Sequence, residues 1–160
     1  MTSAPSIEDR QFLTLAIALA DLSRRAGNHP FGALLVLGGE AVLQACNSVV
    51  TENDATGHAE TNLVRLASRS YGRAELAKAT LYTSSEPCAM CSGAVYWSGI
   101  GRVVYALGED ELLALTGASE ENPTMALPCR TVFAAGQRPI EVAGPYLREQ
   151  AAAVHHGFWS

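Results

Sequence analysis

The chain lacks a long hydrophobic run: its longest, Phe12 to Ala20, is interrupted by Thr14 and is too short to span a bilayer. Glu8 and Asp9 stand in front of that run where a secretory leader carries basic residues, so a soluble, cytoplasmic protein with no membrane partner is expected. It also lacks a surplus of positive charge. Eleven Lys and Arg against sixteen Asp and Glu leave a net charge of −5, and Arg24-Arg25 is the only adjacent basic pair. A protein that follows a phosphate backbone carries the opposite balance, which weighs against a nucleic-acid partner. Cysteine is scarce as well. Four residues are too few for a disulfide framework, and only Cys88 and Cys91 are close in sequence, as a C-x-x-C pair.

What is present is ordinary for a globular domain: 160 residues, 48% hydrophobic and 17% charged. That length fits one domain over residues 1–160, and a chain of this size buries roughly 70% of the surface it exposes when unfolded.

Local patterns place the elements. Ser6 caps a helix from about Ile7 to Ala26, with Asp9 as its capping-box partner and Phe12, Leu13, Ala16, Ile17 and Ala20 at helical spacing. Phe31–Leu37 and Ala41–Cys46 form a hairpin around Gly38-Gly39. A second helix starts near His58 with Thr56 as its cap, and Thr80–Thr83 is a short strand. Pro87 sits in the first turn of a third helix that Gly99 closes, before a strand over Arg102–Leu107. Beyond it the pattern predicts a short helix at Asp110–Leu115, a loop to Pro128, a helical turn at Thr131–Ala135, an edge strand at Ile140–Ala143 and a last helix opened by Pro145. Strand–helix–strand around Cys88 implies parallel pairing, and the whole reads as an α/β fold in three α/β/α layers.

The chemistry concentrates in His58, Glu60, Cys88 and Cys91. Two thiols and an imidazole make a three-ligand zinc set that keeps a fourth tetrahedral position for water. Both halves of the set sit at predicted helix N-termini, where the unpaired N–H groups favour thiolate over thiol at Cys88 and Cys91. A C-x-x-C pair alone is equally a redox pair, but that reading leaves His58 and Glu60 without a use. Residues two apart on a helix point apart, so Glu60 reaches the metal's water only if His58 opens the helix. A carboxylate there can move a proton from water to a substrate nitrogen. A zinc scaffold without activity would need the ligands but not Glu60.

His58-Ala59-Glu60 followed by Pro87-Cys88-Ala89-Met90-Cys91 resembles the signature of the cytidine-deaminase-like zinc hydrolases, H-x-E…P-C-x-x-C. Pro30-Phe31-Gly32-Ala33, Asn47 and Thr83-Ser84-Ser85-Glu86-Pro87 extend the likeness to the nucleobase and nucleoside deaminase branch, over roughly Ile7 to Leu107. The resemblance implies a five-stranded mixed sheet, a homodimer, and zinc (Zn2+) on His58, Cys88 and Cys91. It further implies that zinc-bound hydroxide attacks the amine-bearing ring carbon while Glu60 shuttles the proton. Asn47, Phe31, the Ala59 N–H, His29 and Trp97 would contact the substrate.

Guanine deaminases share the Tyr96-Trp97 step and Phe31, whereas wobble-position tRNA adenosine deaminases share Ile100-Gly101-Arg102-Val103-Val104. Residues 124–160 lack the basic helix that gripping an anticodon loop needs. The expectation is therefore deamination of a free nucleobase or nucleoside, guanine-type first. The alternatives are a tRNA wobble adenosine, cytosine or another amino-heterocycle. Which of Glu109, Asp110, Glu111, Glu120 and Glu121 reads the base edge stays open, as does whether Phe158 and Trp159 cover the site or a partner.

Overall fold

Residues 3–159 are described by the computed structural model. The amphipathic pattern near the N-terminus becomes α1 (Ile7–Arg25), capped by the Ser6 hydroxyl, which accepts the Asp9 N–H at 3.0 Å. Asp9 does not return the bond as a capping box would. Its carboxylate instead accepts from the Tyr82 hydroxyl (2.7 Å) and the Arg102 guanidinium (2.9 Å), tying α1 to two strands.

The hairpin forms as β1 (Gly32–Leu37) and β2 (Glu40–Cys46). Then follow α2 (Ala59–Ser70), a four-residue helix α3 (Arg73–Leu76) that the apolar pattern does not announce, and β3 (Thr80–Ser85). Next come α4 (Ala89–Ser98), ended by Gly99 in the left-handed region (φ 96°), and β4 (Arg102–Leu107). The C-terminal third adds α5 (Glu109–Thr116), α6 (Cys129–Ala134), β5 (Glu141–Ala143) and α7 (Arg148–Ala153). Pro145 does not open α7; Leu147 precedes its first residue.

The strands make one mixed sheet in the order β2-β1-β3-β4-β5. β1 runs antiparallel to β2 and β3, while β3, β4 and β5 are parallel. Strand residues alternate between two cores. Leu35, Leu81 and Val103 meet Leu63, Ala67 and Val95 of α2 and α4 on one face. Leu34, Tyr82 and Val104 meet Leu13 and Ala16 of α1, with Leu112 and Ala151, on the other. Gly32 lets α1 approach this closely: a Cβ there would lie 2.5 Å from the Leu19 Cβ. This is the three-layer α/β/α arrangement expected, and no helix among the described residues is long and apolar enough to cross a membrane.

Candidate active site

Two helix starts meet at one end of the sheet. His58 is the N-cap of α2 and Cys88 the N-cap of α4, so neither Thr56 nor Pro87 holds the place expected of it. The Thr56 hydroxyl turns back to donate to Asp54 (2.7 Å). Both N-cap residues are extended and begin the helical bonding, their carbonyls accepting from Asn62 (2.9 Å) and Ser92 (2.8 Å). Cys91, one turn into α4, completes the group.

The His58 Nδ1 lies 3.5 Å from the Cys88 Sγ and 3.6 Å from the Cys91 Sγ, and all three ligand atoms fall within 4.8 Å of one another. Zinc with bonds of about 2.3 Å to sulfur and about 2.0 Å to nitrogen, at tetrahedral angles, needs sulfur and nitrogen about 3.5 Å apart. The donor set fits the ion. Its electrostatics agree: the Cys91 thiol and then His58 stabilise a Cys88 thiolate, holding Cys88 well below the usual thiol range, while His58 is raised chiefly by the bond to Cys88. Cys91, next to that thiolate and buried, is pushed up.

Glu60 is the second residue of α2, 5% exposed, on the wall of a cavity of about 340 Å³ that also holds His58 and Cys88. Burial raises its carboxyl, and the Thr83 hydroxyl, donating at 2.6 Å to Oε1, pulls it back.

His29 and Phe31 line the same cavity. The Ala59 side chain is buried in the core. Asn47 is buried but does not line the cavity: its Oδ1 accepts the Val49 N–H at 3.0 Å, a turn at the end of β2. Trp97 is 72% exposed and away from it. Phe158 and Trp159 pack on their own chain, with ring centroids 5.9 and 5.2 Å from that of His29. His155 is buried and accepts the Trp159 indole N–H at Nδ1 (3.0 Å), and burial pushes it down to about 4. It is a neutral acceptor.

Of the five candidate acids, Glu109 and Glu121 reach the cavity. Glu121 is largely exposed and lies 3.6 Å from His29 Nε2. Glu109 is buried, and its burial with Glu86 beside it pushes its carboxyl up to about 7. Thr83, Ser85 and Glu86 entered the sequence reading only as part of the family likeness, with no role of their own. Their signal was a run of four polar side chains, Thr83 to Glu86, at the end of β3 and just beyond it. The Glu86 carboxylate joins two segments, accepting the Glu109 N–H (3.1 Å) and the Cys129 N–H (2.9 Å).

Residues 6–107 match the family described as the cytidine and deoxycytidylate deaminase zinc-binding region. The chain is 42% identical over 154 residues to a probable cytosine deaminase of Schizosaccharomyces pombe, covering 96% of this chain and 94% of that one. It is 44% identical over 96 residues to a guanine deaminase of Bacillus subtilis, which covers 59% of this chain and 62% of the relative. A solved guanine deaminase from Nitrosomonas europaea superposes with a TM-score of 0.74 at 26% identity, over 97% of this chain and 86% of that one.

Proposed function

The chain belongs to the cytidine and deoxycytidylate deaminase zinc-binding family, which makes it a zinc-dependent hydrolytic deaminase, and we propose that its substrate is a free nucleobase or nucleoside, guanine-type first. One observation carries the preference for a small substrate. Four carboxyl side chains line the cavity (Glu60, Glu86, Glu109 and Glu121), and no Lys or Arg does. A tRNA substrate would bring its phosphates to a mouth without cations, on a chain of net charge −5. A neutral base rich in N–H donors meets acceptors there instead. Cytosine is the second reading, favoured by the near-complete overlap with the probable cytosine deaminase. A homodimer and a cytoplasmic location belong to the same reading.

His58, Cys88 and Cys91 would hold the zinc, which when bound lowers the pKa of a coordinated water from 15.7 to about 7. The chain's own groups do the rest. Glu60 accepts a proton from the attacking water and delivers it to the ring nitrogen beside the reacting carbon; it then takes the proton of the added hydroxyl and gives it to the amine, which leaves as ammonia as the carbonyl forms. Its raised carboxyl suits a group that must both take and give. Thr83 keeps Oε1 in place, and Phe31 and His29 bound the space that a flat ring occupies.

The test is ammonia release by the zinc-loaded protein from guanine, guanosine, cytosine, adenine and an anticodon stem-loop RNA, with Glu60→Ala as the blank. Turnover of guanine or guanosine supports the lead reading, and turnover of cytosine alone supports the second. Release only from the RNA overturns both.

A further inference from the structure

Two buried side-chain atoms have no hydrogen-bond partner among the described residues: Glu109 Oε2 and Ser85 Oγ. Both residues line the cavity that holds Glu60, His58 and Cys88. Buried polar atoms are almost always paired, and an orphan is costly, so two orphans in one cavity mark the place where a ligand supplies the partners. Their positions are set by the sheet. Ser85 is in register with Leu107 across parallel β3 and β4, and Glu109 follows Leu107 by two residues at the start of α5. Side chains leaving the same end of adjacent parallel strands face one crevice.

The neighbouring carboxylate is not available for this role. Glu86 spends one oxygen on the Glu109 N–H and the other on the Cys129 N–H. The first of these bonds holds the backbone of Glu109 while leaving its own carboxyl, 7% exposed, on the cavity wall.

Resting on the deaminase reading above, we infer that Glu109 and Ser85 are the specificity-determining pair, and that they read a cyclic –NH–C(=O)– unit in the substrate's ring. Glu109 accepts the ring N–H, and the Ser85 hydroxyl donates to the carbonyl oxygen. Guanine carries such a unit at N1–H and C6=O, and cytosine at N1–H and C2=O. Adenine has none. The pair therefore selects amino-oxo heterocycles, and accepts cytosine only as the free base, because a sugar on N1 removes the proton that Glu109 reads.

Matched substrates test this on the zinc-loaded full chain. Guanine is compared with 2-aminopurine, which keeps the ring and the amine but lacks the N–H and carbonyl, and cytosine is compared with 4-aminopyrimidine for the same reason. The wild-type protein should prefer the oxo member of at least one pair by about 10–100-fold in kcat/KM, the worth of a hydrogen bond to a charged group. Glu109→Ala should bring that ratio close to one, mainly through KM for the oxo base. Glu109→Gln, whose amide oxygen still accepts, should keep much of it. Zinc content should not change, and the melting temperature of Glu109→Ala should hold or rise, since an unpaired buried carboxyl is removed. A merely structural Glu109 would lower stability and slow both members equally.

An unchanged ratio in Glu109→Ala overturns the inference. Should the wild-type protein turn over none of the four bases and no guanosine, the proposed function falls by itself, and calorimetric binding of guanine and cytosine then decides the role of the pair. Binding at least tenfold weaker in Glu109→Ala supports it; equal binding, or none to the wild-type protein, overturns it.

Discussion

Thr83 sits 2.6 Å from Glu60 Oε1 and 2.8 Å from the carbonyl oxygen of Ser85, with one hydroxyl proton to give. A carbonyl can only accept, so the two bonds compete while Glu60 is charged. When Glu60 is protonated it can donate to Thr83, and Thr83 can then donate to Ser85. The hydroxyl thus gives each protonation state of Glu60 a satisfied arrangement, which suits a group that must exchange a proton in a buried place.

Thr83→Val removes that hydroxyl at nearly constant shape. The expected outcome is a fall in kcat of about 10–100-fold, the value of a hydrogen bond to a charged group, with zinc content unchanged. Thr83→Ser should restore most of the rate. Steady-state kinetics with metal analysis on both variants checks it.

Glu60→Gln should retain zinc and lose about 10²–10⁴-fold in kcat, the usual worth of a positioned acid–base group. Equal metal content in the two proteins, read by atomic emission, separates this loss from damage to the metal site. Turnover at the wild-type rate would remove Glu60 from the mechanism.

Stripping zinc with a chelator should abolish turnover and lower the melting temperature, because an ion that binds only the folded site stabilises it by mass action. Re-addition of zinc should restore both. Thiolate ligands must be deprotonated, so metal affinity should weaken as the solution is acidified, which a competitive chelator titration over a pH series measures.

His155 supplies a pH dependence of stability. Burial holds it at about 4 in the folded chain, against 6.5 when exposed, so the unfolded chain binds the extra proton first. Its contribution is whole above pH 6.5 and is lost as the pH falls towards 4, with a total on the order of 3 kcal/mol. Protonation at Nδ1 also breaks the bond from Trp159. Urea unfolding at pH 7 and pH 4.5 should show the wild-type protein losing more stability than His155→Gln, and Trp159 fluorescence should change over the same range.

Much of the fold followed from short stretches of sequence. Ser6 before a 3.6-residue apolar repeat, the Gly38-Gly39 turn and the unbroken run over residues 31–37 each describe a local energy preference that the tertiary structure keeps. The helix α3 escaped because four residues are too few to show a period. The end of β3 was set two residues short because Ser84 and Ser85 are polar yet buried.

The zinc set was legible for a similar reason. His58, Cys88 and Cys91 are rare residue types with fixed spacing, and the chemistry of thiolate and imidazole limits what they can do together. The reading side chains had no such mark. Glu109 is one of three consecutive acids, and nothing in Glu109-Asp110-Glu111 says which faces inward. That was decided by the register of β4 against β3 and by Glu86 gripping the first residue of α5. The environment of His155 was likewise settled by the folding of Phe158 and Trp159 onto Phe31 and His29. Element type and metal chemistry depend on near neighbours and on the side chains themselves, so they can be read along the chain. Burial, and with it the charge and orientation of a polar group, depends on which distant segments pack around it, and only the assembled structure holds that information.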